Sequence, residues 1–332
     1  MPATTHRAVL AEPPALLTGD ARPEPGPIAV LPVREREEPQ AQVVRDAGGD
    51  VRPLGDDTRG IVYTSYRDVD TLVEALERHP RIRWVQLPFA GIDVYAKRLA
   101  PHAERGVVFT SSKGAFAQPV AEHALMLALA ALRVLPVRLR ADEWGRHAGR
   151  SLYGANVVVV GAGGIAIEFL RLLEPFGCTT TVVRRRAGEV PGADRTLTID
   201  RLDEALPEAD VVMLAAAATD ETRHLIDAER LRAMKPTAVL VNIARGPLVD
   251  TEALVAALEA EEIFGAGLDV TDPEPLPAGH PLFSSPRCII TPHSADTPEM
   301  TRPLSAARIA DNVRGFLTTG EFTGIADPRV GY

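Results

Sequence analysis

The chain has 332 residues, 45% hydrophobic and 24% charged, with a formal net charge of −9. That length suggests about two domains, each able to bury a core. The acidic balance argues against nucleic acid as a bulk partner, and no run of about 18 uncharged apolar residues is present to span a membrane.

Residues 1–27 hold prolines at 2, 13, 14, 23, 25 and 27 and no basic-then-apolar signal pattern. They read as a poorly ordered or loosely packed extension. Residues 28–33 (IAVLPV) form a strand, with Pro32 near its end. The charged cluster 34–38 (REREE) reads as a solvated loop or a helix start. Further strands are expected at 50–54 and 60–64, and a helix over 70–78, where Leu72, Val73 and Leu76 recur at helical spacing. The strand 83–87 (RWVQL) runs into Pro88, Phe89, Ala90, Gly91, Ile92 and Asp93, a Gly-containing loop where α/β folds place ligands. With a strand at 107–111, the first ~115 residues form a small α/β unit.

A helix follows over 119–135. It is apolar on nearly every face and must be buried. His123 on it reads as a satisfied core or junction residue. Residues 141–153 connect onward, with Trp144 as an anchoring aromatic.

The stretch 157–186 (VVVVGAGGIAIEFLRLLEPFGCTTTVVRRR) organises the rest. Four valines read as a strand buried on both faces of a parallel sheet. Gly161, Gly163 and Ala166 follow in G-x-G-x-x-A spacing, then a helix carrying Ile165, Phe169, Leu172 and Leu173, then a second strand over 179–183. Gly161 permits the tight turn, Gly163 lets a pyrophosphate approach the backbone, and Ala166 allows close helix–strand packing. The pyrophosphate then rests on the helix N-terminus. A carboxylate is expected about 20 residues past the first glycine to hold an NAD ribose. Arg184, Arg185 and Arg186 stand there instead. They suit a 2′-phosphate, so NADP(H) is preferred, with NAD(H) possible.

Beyond it, helices are expected at 200–206, 227–234 and 251–260, and strands at 210–215, 238–243, 265–270 and 288–291. A polar loop covers 219–222. Three strand ends carry reactive side chains: Arg245, Glu274 in a proline-framed loop, and His293. Each alone has a bland reading as a surface or structural residue. On loops at one sheet edge, they suit 2-oxo acid reduction. Arg245 would bind the carboxylate and polarise the carbonyl, His293 would exchange a proton with the oxygen, and Glu274 would hold the other imidazole nitrogen. Cys178 and Cys288 make no motif, so neither a metal site nor a disulfide is suggested. This fits a reducing cytoplasm.

On VGAGGIA, MKPTAVLVNIARGPLVDTEALVAAL, GLDVTDPEPLPAGHPL and TPHSA, the chain from about residue 28 onward resembles the D-isomer-specific 2-hydroxyacid dehydrogenases. The resemblance implies an α/β architecture of two Rossmann-like domains. A discontinuous substrate domain (28–118 and 297–332) encloses an inserted dinucleotide-binding domain with a parallel sheet (119–296). It implies catalytic Arg245, Glu274 and His293. The backbone N–H groups of Phe89, Ala90 and Gly91 would meet the substrate carboxylate. Gly161, Gly163, Gly164, Ile165, Arg184, Arg185, Ala244 and Asp269 would line the cofactor, with Asp269 by the nicotinamide amide. The implied activity is NAD(P)-dependent reduction of a small 2-oxo acid such as glyoxylate or hydroxypyruvate, in a homodimer with the 119–135 helix in the contact region. The chain departs from the pattern at Arg184, where NAD-using members carry an acid, and at Ala217, where relatives usually have proline. Two alternatives stay open: oxidation of phosphite or a phosphonate on the same fold, or a dinucleotide-sensing corepressor.

Overall fold

The computed structural model describes residues 6–33, 38–66 and 68–331, so positions 34–37 of the expected solvated loop lie outside the described residues. The strands in chain order are β1 (Ala15–Leu16), β2 (Ile28–Leu31), β3 (Gly60–Tyr63), β4 (Trp84–Gln86), β5 (Val108–Thr110), β6 (Asn156–Val160), β7 (Thr179–Arg184), β8 (Arg195–Thr198), β9 (Val211–Leu214), β10 (Val239–Asn242), β11 (Gly265–Leu268), β12 (Cys288–Ile290), β13 (Glu321–Phe322) and β14 (Ile325–Ala326). The chain divides into two compact units, Met1–Phe116 with Pro298–Tyr332, and Ala117–Thr297.

In the first unit the sheet order is β14-β5-β4-β3-β2. β2 to β5 are parallel and β14 runs antiparallel to β5. Side chains alternate between faces as strand geometry requires. Ile61 and Tyr63 enter the core with the helices Val69–Arg78 and Asp93–Glu104. Val62 and Trp84 enter the core with the helices Glu38–Asp46 and Pro298–Arg314. Trp84 stacks on Phe316 at 4.9 Å, and its indole N–H donates to Thr110 Oγ1 at 3.0 Å. The tail from Pro298 belongs to the first unit.

The second unit holds a seven-stranded sheet, order β12-β11-β10-β9-β6-β7-β8, in which every pairing is parallel. Val158 and Val160 pack with Leu202, Leu231 and Leu254 on one face. Helix Ala117–Leu132 crosses β10 and β11. It lies so close that a Cβ on Gly267 would stand 2.8 Å from Leu127 Cβ.

Several elements differ from expectation. The N-terminal stretch is mostly exposed but not merely loose: β1 pairs with β13, and the Leu17 N–H donates to Gly320 O at 2.8 Å. Residues 50–54 contribute only an isolated bridge, Val51 with Ile28. The helix expected to reach 135 ends at Leu132. Val134 takes a left-handed φ of 50°, and a short helix, Leu135–Leu139, begins with Pro136 in its first turn. Helices Asp93–Glu104 and Pro298–Arg314 were not expected; each holds an internal proline, Pro101 and Pro303. Trp144 is not an anchor, being 94% exposed.

Candidate active site

A parallel sheet puts every strand's carboxyl end on one edge, so the loops after β6, β7, β9, β10, β11 and β12 share that edge. The chain runs one way through β6, β7 and β8 and the other through β9 to β12. The order reverses between β6 and β9, and ligands of open α/β sheets bind at such a reversal.

The glycine turn sits there. Gly161 has φ +117°, and a Cβ would lie 2.5 Å from the Ala215 carbonyl oxygen beyond β9. Only glycine fits that approach. Gly163 differs: its backbone is extended, and a Cβ would meet nothing within 4 Å. The space over Gly163 is therefore open, next to the N-terminus of helix Gly164–Leu173, whose first N–H groups receive no side-chain cap. Ala166 is buried where helix meets sheet. An open cradle against uncapped N–H groups fits a pyrophosphate. Arg184 is half-buried at the end of β7, and Arg185 and Arg186 are exposed beyond it. The loop after β9 is tied by Thr222 Oγ1 donating to Ala217 O at 2.8 Å.

The reactive side chains stand on the three adjacent strands at the other end. Arg245, half-buried, follows β10. Asn242 Nδ2 donates to its carbonyl at 2.9 Å, and Asn242 Oδ1 accepts from the Ala244 N–H at 3.0 Å. Gly246 lets this turn press on the loop after β11, since a Cβ there would be 1.9 Å from Thr271 O. The β11 loop is fixed by Thr251 Oγ1 donating to Asp272 O at 2.7 Å and Thr271 Oγ1 to Pro273 O at 2.9 Å. It presents Glu274, whose Oε1 lies 2.6 Å from His293 Nδ1, with both side chains 42% exposed. Glu274 thus engages Nδ1 of the imidazole, and Nε2 is the ring nitrogen it does not engage.

His293 has a left-handed φ of 50°. A non-glycine residue holds that conformation only where its surroundings fix it. Here Asp269 does so. Its carbonyl accepts the His293 N–H at 2.8 Å. Its carboxylate accepts the Ser294 N–H at 2.9 Å, the Ala295 N–H at 3.0 Å and the Thr291 hydroxyl at 2.5 Å. Burial, with only 2% of Asp269 exposed, raises the carboxyl's proton affinity. Hydrogen bonds from His123, Thr291, Ser294 and Ala295 outweigh it, so its pKa lies below the usual carboxylate value. His123, expected as a core or junction residue, borders this site. Its Nε2 lies 2.9 Å from Thr291 Oγ1 and 3.4 Å from Asp269 Oδ1. The only signal was a polar residue in a helix apolar all round.

In the first unit, the 89–91 loop follows β4 and leads into helix Asp93–Glu104. The Ser112 N–H donates to Phe89 O at 3.1 Å, and Ser111 Oγ to Ala90 O at 3.4 Å. Phe89 packs edge-on to Tyr66 at 5.1 Å.

Residues 123–295 match the model of the D-isomer specific 2-hydroxyacid dehydrogenase NAD binding domain. The chain is 34% identical over 271 residues to a glyoxylate reductase of Pyrococcus furiosus, covering 75% of this chain and 80% of that one. A D-isomer specific 2-hydroxyacid dehydrogenase of Xanthobacter autotrophicus, solved with NADPH and MES, superposes with a TM-score of 0.77 at 27% identity, covering 92% of this chain and 99% of that one. An NADPH-dependent glyoxylate/hydroxypyruvate reductase of Sinorhizobium meliloti, solved with NADP and malonate, gives a TM-score of 0.72 at 27% identity, covering 92% and 98%. Fold and site together define a nicotinamide-dinucleotide oxidoreductase. The chain belongs to the D-isomer specific 2-hydroxyacid dehydrogenase family, and its activity is that of a D-2-hydroxyacid dehydrogenase, or 2-oxo acid reductase in the reverse sense.

Proposed function

We propose that the protein reduces a small 2-oxo acid, of the glyoxylate or hydroxypyruvate type, with NADPH as the preferred donor. The observation that carries this reading is the 2.6 Å pairing of His293 Nδ1 with Glu274 Oε1, beside Arg245 on the next strand end. Bound nicotinamide supplies the hydride. Glu274 fixes the His293 ring so that Nε2 faces the substrate, and Nε2–H gives its proton to the carbonyl oxygen as the C–H bond forms. The Arg245 guanidinium binds the carboxylate in bidentate fashion and draws charge toward the oxygen. The backbone N–H groups of Phe89, Ala90 and Gly91, just before a helix N-terminus, suit a carboxylate.

For the cofactor, Gly161, Gly163, Gly164 and Ile165 hold the pyrophosphate, and Arg184 with Arg185 holds the 2′-phosphate. Ala244 and Asp269 lie toward the nicotinamide. The glyoxylate reductases among the relatives and the NADPH-bound neighbours support both choices. A homodimer formed through helix Ala117–Leu132 and the segment after it is consistent with the exposed Met126, Leu135, Val137, Leu139 and Trp144. The free Cys178 and Cys288 suit a reducing compartment such as the cytoplasm.

The test is a panel of 2-oxo acids with NADPH and NADH, following loss of reduced-nicotinamide absorbance. Turnover of at least one small 2-oxo acid, faster with NADPH, is expected. Turnover of none of them, with either cofactor, rejects the reading.

A further inference from the structure

His123 lies on helix Ala117–Leu132, outside every loop that carries a reactive side chain. Its side chain is 16% exposed, and its Nε2 faces one cluster: Thr291 Oγ1 at 2.9 Å and Asp269 Oδ1 at 3.4 Å. The hydrogens can be assigned from the chemistry. At 2.5 Å the Thr291 hydroxyl donates to the Asp269 carboxylate, so its lone pairs face His123. His123 Nε2 therefore carries a hydrogen and donates to Thr291 Oγ1, with Asp269 Oδ1 3.4 Å away.

The same carboxylate accepts the Ser294 and Ala295 N–H groups at 2.9 and 3.0 Å, and the Asp269 carbonyl accepts the His293 N–H at 2.8 Å. These bonds hold His293 at φ 50°. A side chain on one helix thus fixes the rotamers of two groups that together set the backbone under the proton donor. A chain of bonds in a partly buried setting is cooperative, and removing one end loosens the rest.

We propose that His123 is a positioning residue. From helix Ala117–Leu132 it orients Thr291 and Asp269, and through them it keeps His293 in its left-handed conformation and aims Nε2. This inference rests on the reading of His293 as proton donor. It gives His123 a role in placing the catalytic group and none in binding substrate or cofactor. Loss of the Nε2–H donor should free the 291–295 loop and misplace the imidazole by a fraction of an ångström to an ångström. Misplacement of that order costs up to about 100-fold in rate.

The experiment compares His293→Ala, His123→Ala and His123→Gln with wild type. Three quantities are read: kcat and KM for a turned-over 2-oxo acid, the NADPH dissociation constant, and amide hydrogen exchange at 293–295 against the β10 and β11 amides. Gln can place an N–H donor near the position of Nε2. For His123→Ala we expect kcat to fall about 10- to 100-fold, with KM and NADPH affinity within a few-fold of wild type. Exchange should rise at 293–295 alone, and His123→Gln should recover most of both losses. If His123→Ala keeps wild-type kcat and protection while His293→Ala is slow, the positioning role is overturned and the proton donor stands. If His293→Ala itself keeps wild-type turnover, the underlying assignment falls. If His123→Ala also loses protection in β10 and β11, His123→Gln decides. Recovery of kcat and of loop protection supports the role, and a loss equal to alanine's overturns it.

Discussion

Two glycines two positions apart should respond oppositely to the same methyl group. At Gly163 the backbone is extended, φ −82° and ψ −177°, and a Cβ meets nothing within 4 Å. Gly163→Ala should leave folding stability within about 1 kcal/mol of wild type, because alanine's smaller unfolded-state entropy offsets its poorer fit at the helix N-cap. The methyl group instead fills the space where the pyrophosphate meets the helix N-terminus. Loss of one or two charge-assisted N–H···O bonds, about 1.5–3 kcal/mol each, weakens dinucleotide binding by roughly 10-fold to more than 100-fold. At Gly161 φ is +117°, and the Cβ would lie 2.5 Å from Ala215 O and 2.6 Å from its carbonyl carbon. Gly161→Ala bears a left-handed conformation worth about 1–2 kcal/mol and overpacking worth about 1–3 kcal/mol, so it should destabilise by about 3 kcal/mol. Urea unfolding gives the stabilities, and NADPH fluorescence titration gives the affinities. Unchanged NADPH affinity in a folded Gly163→Ala, or wild-type stability in Gly161→Ala, would refute the reasoning.

Replacing Arg184 and Arg185 by Ser should weaken NADPH binding by about 10-fold or more and leave NADH nearly unchanged, as loss of a charge-assisted phosphate contact requires. Equal losses for the two cofactors, or none, contradict the 2′-phosphate assignment. Asp269→Asn should destabilise the fold at pH 7 by about 3–5 kcal/mol, the range for breaking a buried, fully bonded charge. The carboxyl's pKa is depressed in the folded state. Its stabilisation is therefore full above the unfolded value of about 3.9 and is lost as pH falls through the folded value. The gap between wild type and Asp269→Asn should narrow below about pH 4, and urea midpoints from pH 7 to pH 3 check it. A gap that stays constant to pH 3 contradicts the linkage.

Much of this was legible because parallel-sheet physics is periodic. The valines at 157–160, the G-x-G-x-x-A turn and the strand-end positions of Arg245, Glu274 and His293 put these groups on one sheet edge, since parallel strands must share a carboxyl edge. The pairing of His293 with Glu274 was expected, and the two lie in contact. The Asp269 network was not legible, because its bonds span 22 to 26 positions and no local spacing encodes them. The role of His123 was hidden for a related reason: only the fold carries its helix past the ends of β11 and β12. Helices Asp93–Glu104 and Pro298–Arg314 were missed; each tolerates an internal proline, which local rules read as a stop. β8 was missed because RTLT, with an exposed arginine and few apolar residues, lacks a strand's buried pattern.

The central claim is that His293 delivers the proton as hydride reaches the carbonyl carbon. Single-turnover oxidation of enzyme-bound NADPH by a small 2-oxo acid measures it most directly, in wild type and in His293→Ala at saturating cofactor. A rate lower by about 10²- to 10⁴-fold is expected in the variant, the usual loss for a general acid, with NADPH affinity unchanged. Equal single-turnover rates in the two proteins would contradict it.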